Sequence, residues 1–380
     1  MRRFRSALSF FTILVITLIS INAQKPFLLR GAKGNYGLPM PIITFFDAKG
    51  RSIALAQDGE MRWFDDVRKP PVKTAKIKEV PAFDYSPEEE KDIAVLTKWH
   101  QSVFGDISEN FFEGATLIQR PGAKEFCLTD RDSKFYFYST ETGELLRKVL
   151  IQKPKHKYGP LVTALSDDNK IVLTESTQIN KAYVHSMETG KLLFEIDTQF
   201  LDSCGLSTDG LTLFHLHKNI LSRYSTKTGK KSVPDLTINS ESAGGLVVSP
   251  AGGKIAFTLY KKGNYDGQAI LNLATNQILM GDPTVKNFGA KAFTPDGKFL
   301  AVDQPKYLHF IDTANGKHSF SYIMSFSEIW DNVVDISFSP DSTKMNFAHN
   351  SLDISTPYFM FCNLSQPRKQ VLDKIVIPND

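Results

Sequence analysis

One unit returns along this chain about every 42 residues, and a repeat of that period restricts the fold more than any single motif could. Its clearest copies read FTPDGKFLAVDQPKYLHFIDTANGK from Phe293 to Lys317 and LSTDGLTLFHLHKNILSRYSTKTGK from Leu206 to Lys230. Each copy holds a turn, a short apolar run, a second run that ends in Asp, Ser or Asn, and a Gly-bearing hairpin. The first turn follows Phe46, Ser86, Arg120, Ser166, Ser207, Ser249, Thr294 and Ser339, at spacings of 40, 34, 46, 41, 42, 45 and 45 residues. Pro follows the mark at Pro87, Pro250, Pro295 and Pro340, and Gly or Asn stands further on at Gly50, Asn169, Gly210, Gly252 and Gly297. Pro presets the first turn angle, and Gly accepts the positive φ that follows.

After each turn comes SIALA, DIAVL, EFCLT, KIVLT, TLFHL, KIAFT, FLAVD or MNFAH. Runs this short and this apolar fit strands buried on both faces; helices would need longer ones. A second mark ends the third strand at Asp65, Asp106, Ser139, Ser186, Ser225, Asn272, Asp312 and Asn363. Four residues later stand Lys69, Asn110, Gly143, Gly190, Gly229, Asn276, Gly316 and Pro367. Gly and Asn enter the left-handed region most easily, as a short hairpin closed by a Gly bulge requires. Units that cannot bury their own apolar faces must stack, so the expected fold is all-β, a β-propeller of four-stranded blades. Eight blades is the favoured count. Residues 86–104, SPEEEKDIAVLTKWHQSVF, also read as a helix with Ser86 as N-cap and Glu89 completing a capping box, which leaves seven blades as the alternative.

The motif resembles the WD-repeat and YVTN-type β-propeller families, in which SPDG-like turns, LAV-like strands and a terminal D-x-x-TG hairpin recur. The resemblance runs from Ile42 to about Ile377. The Trp-Asp dipeptide survives only as Phe64-Asp65 or Ile311-Asp312, and the Gly-His pair is missing. Eight-bladed quinone-dependent dehydrogenases are similar in repeat length but lock their blades with a Trp in nearly every repeat. Here the tryptophans are Trp63, Trp99 and Trp330, and only Trp63 belongs to such a strand. Seven-bladed lactonases are the enzymatic alternative, with no residue-by-residue placement of their catalytic groups on this sequence.

Residues 1–23 carry Arg2, Arg3 and Arg5, an uncharged apolar run from Ala7 to Ile21 and a small residue at Ala23, the pattern of an export signal cleaved after Ala23. A membrane-spanning helix needs about 20 apolar residues, so stable insertion is not expected once the signal is removed. Residues 24–41 form a lead-in segment, and 42–380 one propeller domain. The leader's three arginines account for most of the net charge of +4, which leaves a near-neutral body with no electrostatic case for nucleic acid. Cys127, Cys204 and Cys362 fall in different units and are expected to be buried, unpaired thiols.

Catalytic signatures such as G-x-S-x-G, H-E-x-x-H, C-x-x-C and the phosphate-binding loop are missing, and no cofactor is expected. His215 and His217 alternate on one strand and could begin a zinc site, but no third ligand is identifiable. Asp130 and Asp132 lack the rest of a calcium loop. Asp65-Asp66 and Asp167-Asp168 read as turn residues.

What remains is the mouth of the propeller. It gathers the loops after each second strand and before each next first strand, and loops carry function on a rigid scaffold. That register places Trp99, His100, His156, Lys157, Tyr158, His217, Tyr260, Lys261, Lys262, Tyr265, Trp330 and His349 on one rim. Aromatic and basic side chains are favoured as binding anchors. The segments Tyr260–Gln268 and Ala348–Pro357 read as its longest loops. The functional expectation is a secreted or periplasmic, monomeric, non-catalytic propeller that binds protein or glycan at this mouth.

Overall fold

The computed structural model describes residues 27–29, 41–78, 117–118, 123–152, 161–323, 332–350 and 358–364, apart from short gaps at 57–58, 67–69, 130–133, 177–179, 200–201, 286–288 and 305–306. The described residues form a β-propeller with four-stranded antiparallel blades. β1 is Phe27–Leu29. Sheet 1 contains β2 (Pro41–Phe46), β3 (Ser52–Ala56), β4 (Glu60–Phe64) and β5 (Lys73–Lys76). Sheet 2 contains β6 (Leu117–Ile118), β7 (Glu125–Thr129), β8 (Lys134–Ser139) and β9 (Leu145–Leu150), and sheet 3 β10 (Leu161–Leu165), β11 (Ile171–Ser176), β12 (Lys181–Ser186) and β13 (Leu192–Asp197). Sheet 4 follows with β14 (Ser203–Leu206), β15 (Thr212–His217), β16 (Ile220–Ser225) and β17 (Leu236–Thr237), and sheet 5 with β18 (Ser242–Val248), β19 (Lys254–Lys261), β20 (Asn264–Asn272) and β21 (Ile278–Met280). Sheet 6 contains β22 (Gly289–Phe293), β23 (Phe299–Gln304), β24 (Tyr307–Asp312) and β25 (His318–Ile323), after which come β26 (Asn332–Phe338), β27 (Lys344–Asn350) and β28 (Tyr358–Asn363). Six sheets thus use four consecutive strands. The seventh, in the order β1-β28-β27-β26, borrows its outermost strand from the lead-in segment.

The local chemistry of the repeat explains these bounds. In four sheets a Ser or Thr hydroxyl at the first mark donates to an Asp two residues on, at 2.6–2.7 Å: Ser166 to Asp168, Ser207 to Asp209, Thr294 to Asp296 and Ser339 to Asp341. The same oxygen accepts the amide five residues later, for example Lys344 N at 2.8 Å, which fixes where the next strand begins. Burial raises the carboxyls of Asp168, Asp296 and Asp341, but the hydroxyl and amide donors outweigh it and hold all three below the usual carboxylate range. At the second mark the Asp312 carboxylate accepts Ala314 N at 2.7 Å, while Gly316 takes φ +73° and returns its amide to the Asp312 carbonyl. Gly143, Gly190, Gly229 and Asn276 hold the same position with φ between +57° and +74°.

The core lies between sheets rather than within them. Separate apolar clusters join sheets 1 and 2, 2 and 3, 3 and 4, 4 and 5, 5 and 6, and 6 and 7. Sheet 7 meets sheet 1 through Ser337 Oγ, which donates to the Thr44 carbonyl at 3.1 Å, and through Lys344 Nζ to the Gly50 carbonyl at 3.2 Å.

The eight-blade expectation is corrected by the first of these junctions. Trp63 of sheet 1 is fully buried, and its indole N–H donates to the Thr140 carbonyl of sheet 2 at 2.8 Å. Phe45, Met61 and Trp63 share one cluster with Phe126, Leu128 and Tyr138, so no blade stands between the two sheets. Residues 81–116, which supplied the extra unit and its helical alternative, lie outside the described residues.

Candidate functional site

In five sheets the pairing of the innermost strand with the second shifts register near one end: between Pro41 and Ile43, Val162 and Ala164, Gly244 and Val247, Ala290 and Ala292, and Val333 and Asp335. Bulges re-aim side chains and often border functional sites. This end is the mouth expected from the sequence, and sheets 4 and 5 are those whose connection from second to third strand is described throughout.

Tyr260–Gln268 is not the long loop its composition suggested. β19 runs on to Lys261 and β20 starts at Asn264, joined by a two-residue turn with Lys262 at φ +49° and Gly263 at φ +73°. Both central residues at positive φ match the right-handed twist of the flanking strands. The Lys262 amide donates to Glu241 Oε2 at 2.6 Å, and the Ser240 hydroxyl reaches the Tyr260 carbonyl at 3.2 Å. A two-stranded hairpin finger therefore replaces the loop.

On it the Tyr260 and Tyr265 rings lie 5.2 Å apart at 36°, a tilted pair with Tyr265 47 % exposed. Burial and the neighbouring Tyr265 hydroxyl raise the Tyr260 phenol above its ordinary range, so it stays neutral. Lys261 and Lys262 are exposed beside the pair.

His217 stands on the neighbouring hairpin of sheet 4. The Ala243 amide donates to the Lys218 carbonyl at 2.7 Å, and Ser242 pairs with Tyr260, which sets the two hairpins side by side. His215 and His217 do share a face, and they share a partner that sequence reading missed. Asp202, on the crossover into β14, accepts His215 Nε2 at 2.7 Å and His217 Nδ1 at 2.8 Å. It also accepts the Gln199 amide at 2.9 Å. The carboxylate fills the space between the imidazoles, and among the described residues no group of three or more His, Cys, Asp or Glu could hold a metal ion. Nothing local in the sequence marked Asp202, which lies 13 and 15 residues before its partners.

Beneath this cluster Glu175 of β11 bonds Cys204. Burial raises the Glu175 carboxyl, and burial with the neighbouring carboxylates raises the Cys204 thiol far above the reactive range. Cys127 is likewise a buried free thiol whose ionisation burial suppresses. Cys362 lies in β28, its side chain outside the described set.

Of the other rim residues, Trp99, His100, His156, Lys157, Tyr158 and Trp330 lie outside the described residues, as do Asp130 and Asp132. His349 pairs with Val333 and Tyr358 in β27, and its side chain is not described. The structure thus gathers Tyr260, Lys261, Lys262 and Tyr265 on one finger, with His217 beside it. Comparison with protein-family models and with curated proteins finds no match for the chain.

Proposed function

We propose that this chain is an exported, non-catalytic propeller that captures an acidic protein or glycan partner at its mouth. The carrying observation is the tyrosine hairpin, where two aromatic rings lie 5.2 Å apart, Tyr265 exposed and Tyr260 half-buried, beside the exposed Lys261 and Lys262. Tyrosine offers a large contact area at small entropic cost, and flanking lysines steer an acidic partner. The buried, suppressed thiols of Cys127 and Cys204 favour binding over cysteine chemistry. We propose further that the full ring has seven blades, closed by β1 on β28, within the WD-repeat or YVTN-type group. Residues 1–23 would serve as its export signal.

The test begins with partners captured from extracellular material and with a glycan array. Tyr260→Ala and Tyr265→Ala should each raise the dissociation rate, with a hot-spot tyrosine costing about 2 kcal/mol or more. Lys261→Ala with Lys262→Ala should mainly slow association. Matched substitutions at Lys227 and Lys230, in the hairpin at the opposite end of sheet 4, serve as controls. Weakening by the controls alone would place the binding face at the other end.

A further inference from the structure

At the junction of sheets 3 and 4, one buried carboxylate serves two imidazoles. Leu213 packs toward sheet 3 while Phe214 and Leu216 pack toward sheet 5, so the strand period puts His215 and His217 on the sheet 3 side. Asp202 is only 4 % exposed there, its Oδ2 lying 2.7 Å from His215 Nε2 and its Oδ1 2.8 Å from His217 Nδ1. Its third contact is the Gln199 amide at 2.9 Å. His217 is the outer of the two imidazoles, 30 % exposed against 11 % for His215, and it closes β15 at the mouth. Its Nε2 makes no hydrogen bond among the described residues and is not one of the buried polar atoms left unpaired, so it opens to solvent.

An ionised carboxylate only accepts hydrogen bonds, and this fixes the ring. Nδ1 carries the hydrogen that Asp202 accepts, which in the neutral imidazole leaves Nε2 with a lone pair and no hydrogen. A hydroxyl or amide could donate to such an atom, whereas a carboxylate meets it only when a proton arrives too. Two observations select the carboxylate. Among the described residues Asp202 is buried against two imidazoles and an amide, with no Lys or Arg, so an imidazolium is the one cation able to face it. Lys218, the next residue, is exposed and forms no ion pair among the described residues, which puts a second cation at the same point of the rim. The other ionisable neighbours are engaged. Glu175 of β11 bonds Cys204 of β14, with burial raising both; Asp235 is held by Ser222 of β16 at 2.8 Å and by Lys231 at 2.6 Å; and Glu241, before β18, accepts the Lys262 amide at 2.6 Å.

We propose that His217 is a proton-coupled docking residue for a carboxylate of the partner. The imidazole takes one proton from the buffer onto Nε2 as the carboxylate docks, and the resulting cation is held between Asp202 on Nδ1 and the partner on Nε2. Charge-assisted bonds then form on both sides of one ring. By linkage, affinity falls as pH rises, by up to about tenfold per unit while one proton enters with each partner. This docking rests on the acidic character proposed above for the partner.

Calorimetry of the full chain with hexaglutamate and with hexagalacturonate, in buffers of different ionisation heat between pH 8 and 6.5, tests it. The probe that binds identifies the carboxylate as peptide or uronate. It should bind at least about threefold more tightly per unit fall in pH and carry about one proton at pH 8. In His217→Gln the uptake and its pH dependence should vanish, while His217→Lys should keep the affinity without the pH dependence. Nitrogen NMR of the free chain at pH 8 should show His217 protonated at Nδ1. Binding that depends on Tyr265 yet carries no proton removable by His217→Gln would overturn this role and leave the acidic-partner reading standing. Binding of neither probe would overturn both, and an Nε2–H tautomer in the free chain would overturn this role alone.

Discussion

At the scale of single residues the repeat works through hydrogen bonds that close within five positions. Ser339, Asp341 and Lys344 close one turn among themselves, as Thr294, Asp296 and Phe299 do in the preceding sheet. Such motifs are legible because every partner sits within the same short string. What a glycine touches beyond its own turn is not legible. Gly253 and Gly316 have similar φ, +69° and +73°, yet a Cβ on Gly253 would meet open space, whereas one on Gly316 would come within 2.4 Å of the Met280 carbonyl. Gly253→Ala should therefore cost about 1 kcal/mol, the left-handed backbone penalty alone, and Gly316→Ala roughly 3 kcal/mol as sheets 5 and 6 are forced apart. Urea unfolding of the two variants measures the difference, and equal midpoints would refute it.

At the scale of elements, the short and nearly continuous apolar run was the informative signal, and strand geometry then sends successive side chains to opposite faces. SIALA and EFCLT coincide with β3 and β7, and each alternate side chain serves a different neighbouring sheet: Phe126 and Leu128 face sheet 1, and Cys127 faces sheet 3. The same alternation brings His215 and His217 onto one face. It says nothing of Asp202, since a crossover residue has no register. The junction of sheets 1 and 2 makes a direct prediction. Trp63→Phe keeps most of the buried ring but leaves the Thr140 carbonyl without its indole donor, at a cost of about 1–3 kcal/mol. The denaturation midpoint should fall with the m-value unchanged. A loss no larger than that of an exposed-site control would mean that this contact does not hold the two sheets together.

At the scale of the molecule, burial of polar groups between sheets sets the response to pH. His185, His309 and His318 are all held below the ordinary histidine range, chiefly by burial. The unfolded chain takes up these protons near pH 6.5 while the folded chain resists, to about 4 at His309, so stability should decline across that window. Asp168, Asp296 and Asp341, held below their usual range, continue the decline as pH falls through the carboxylate range. Melting temperatures between pH 8 and 4 test this, and a flat profile from 6.5 to 4 would contradict it. The repeat by itself determined the four-stranded unit, its turns and the propeller class, because each depends on contacts a few residues apart. Only the tertiary structure decided that sheets 1 and 2 are neighbours, that β1 completes the last sheet, and that Asp202 and Ser321 each hold two histidines. Those depend on which distant strands pack together, and in a ring of similar units the local pattern is nearly the same whichever neighbour is chosen.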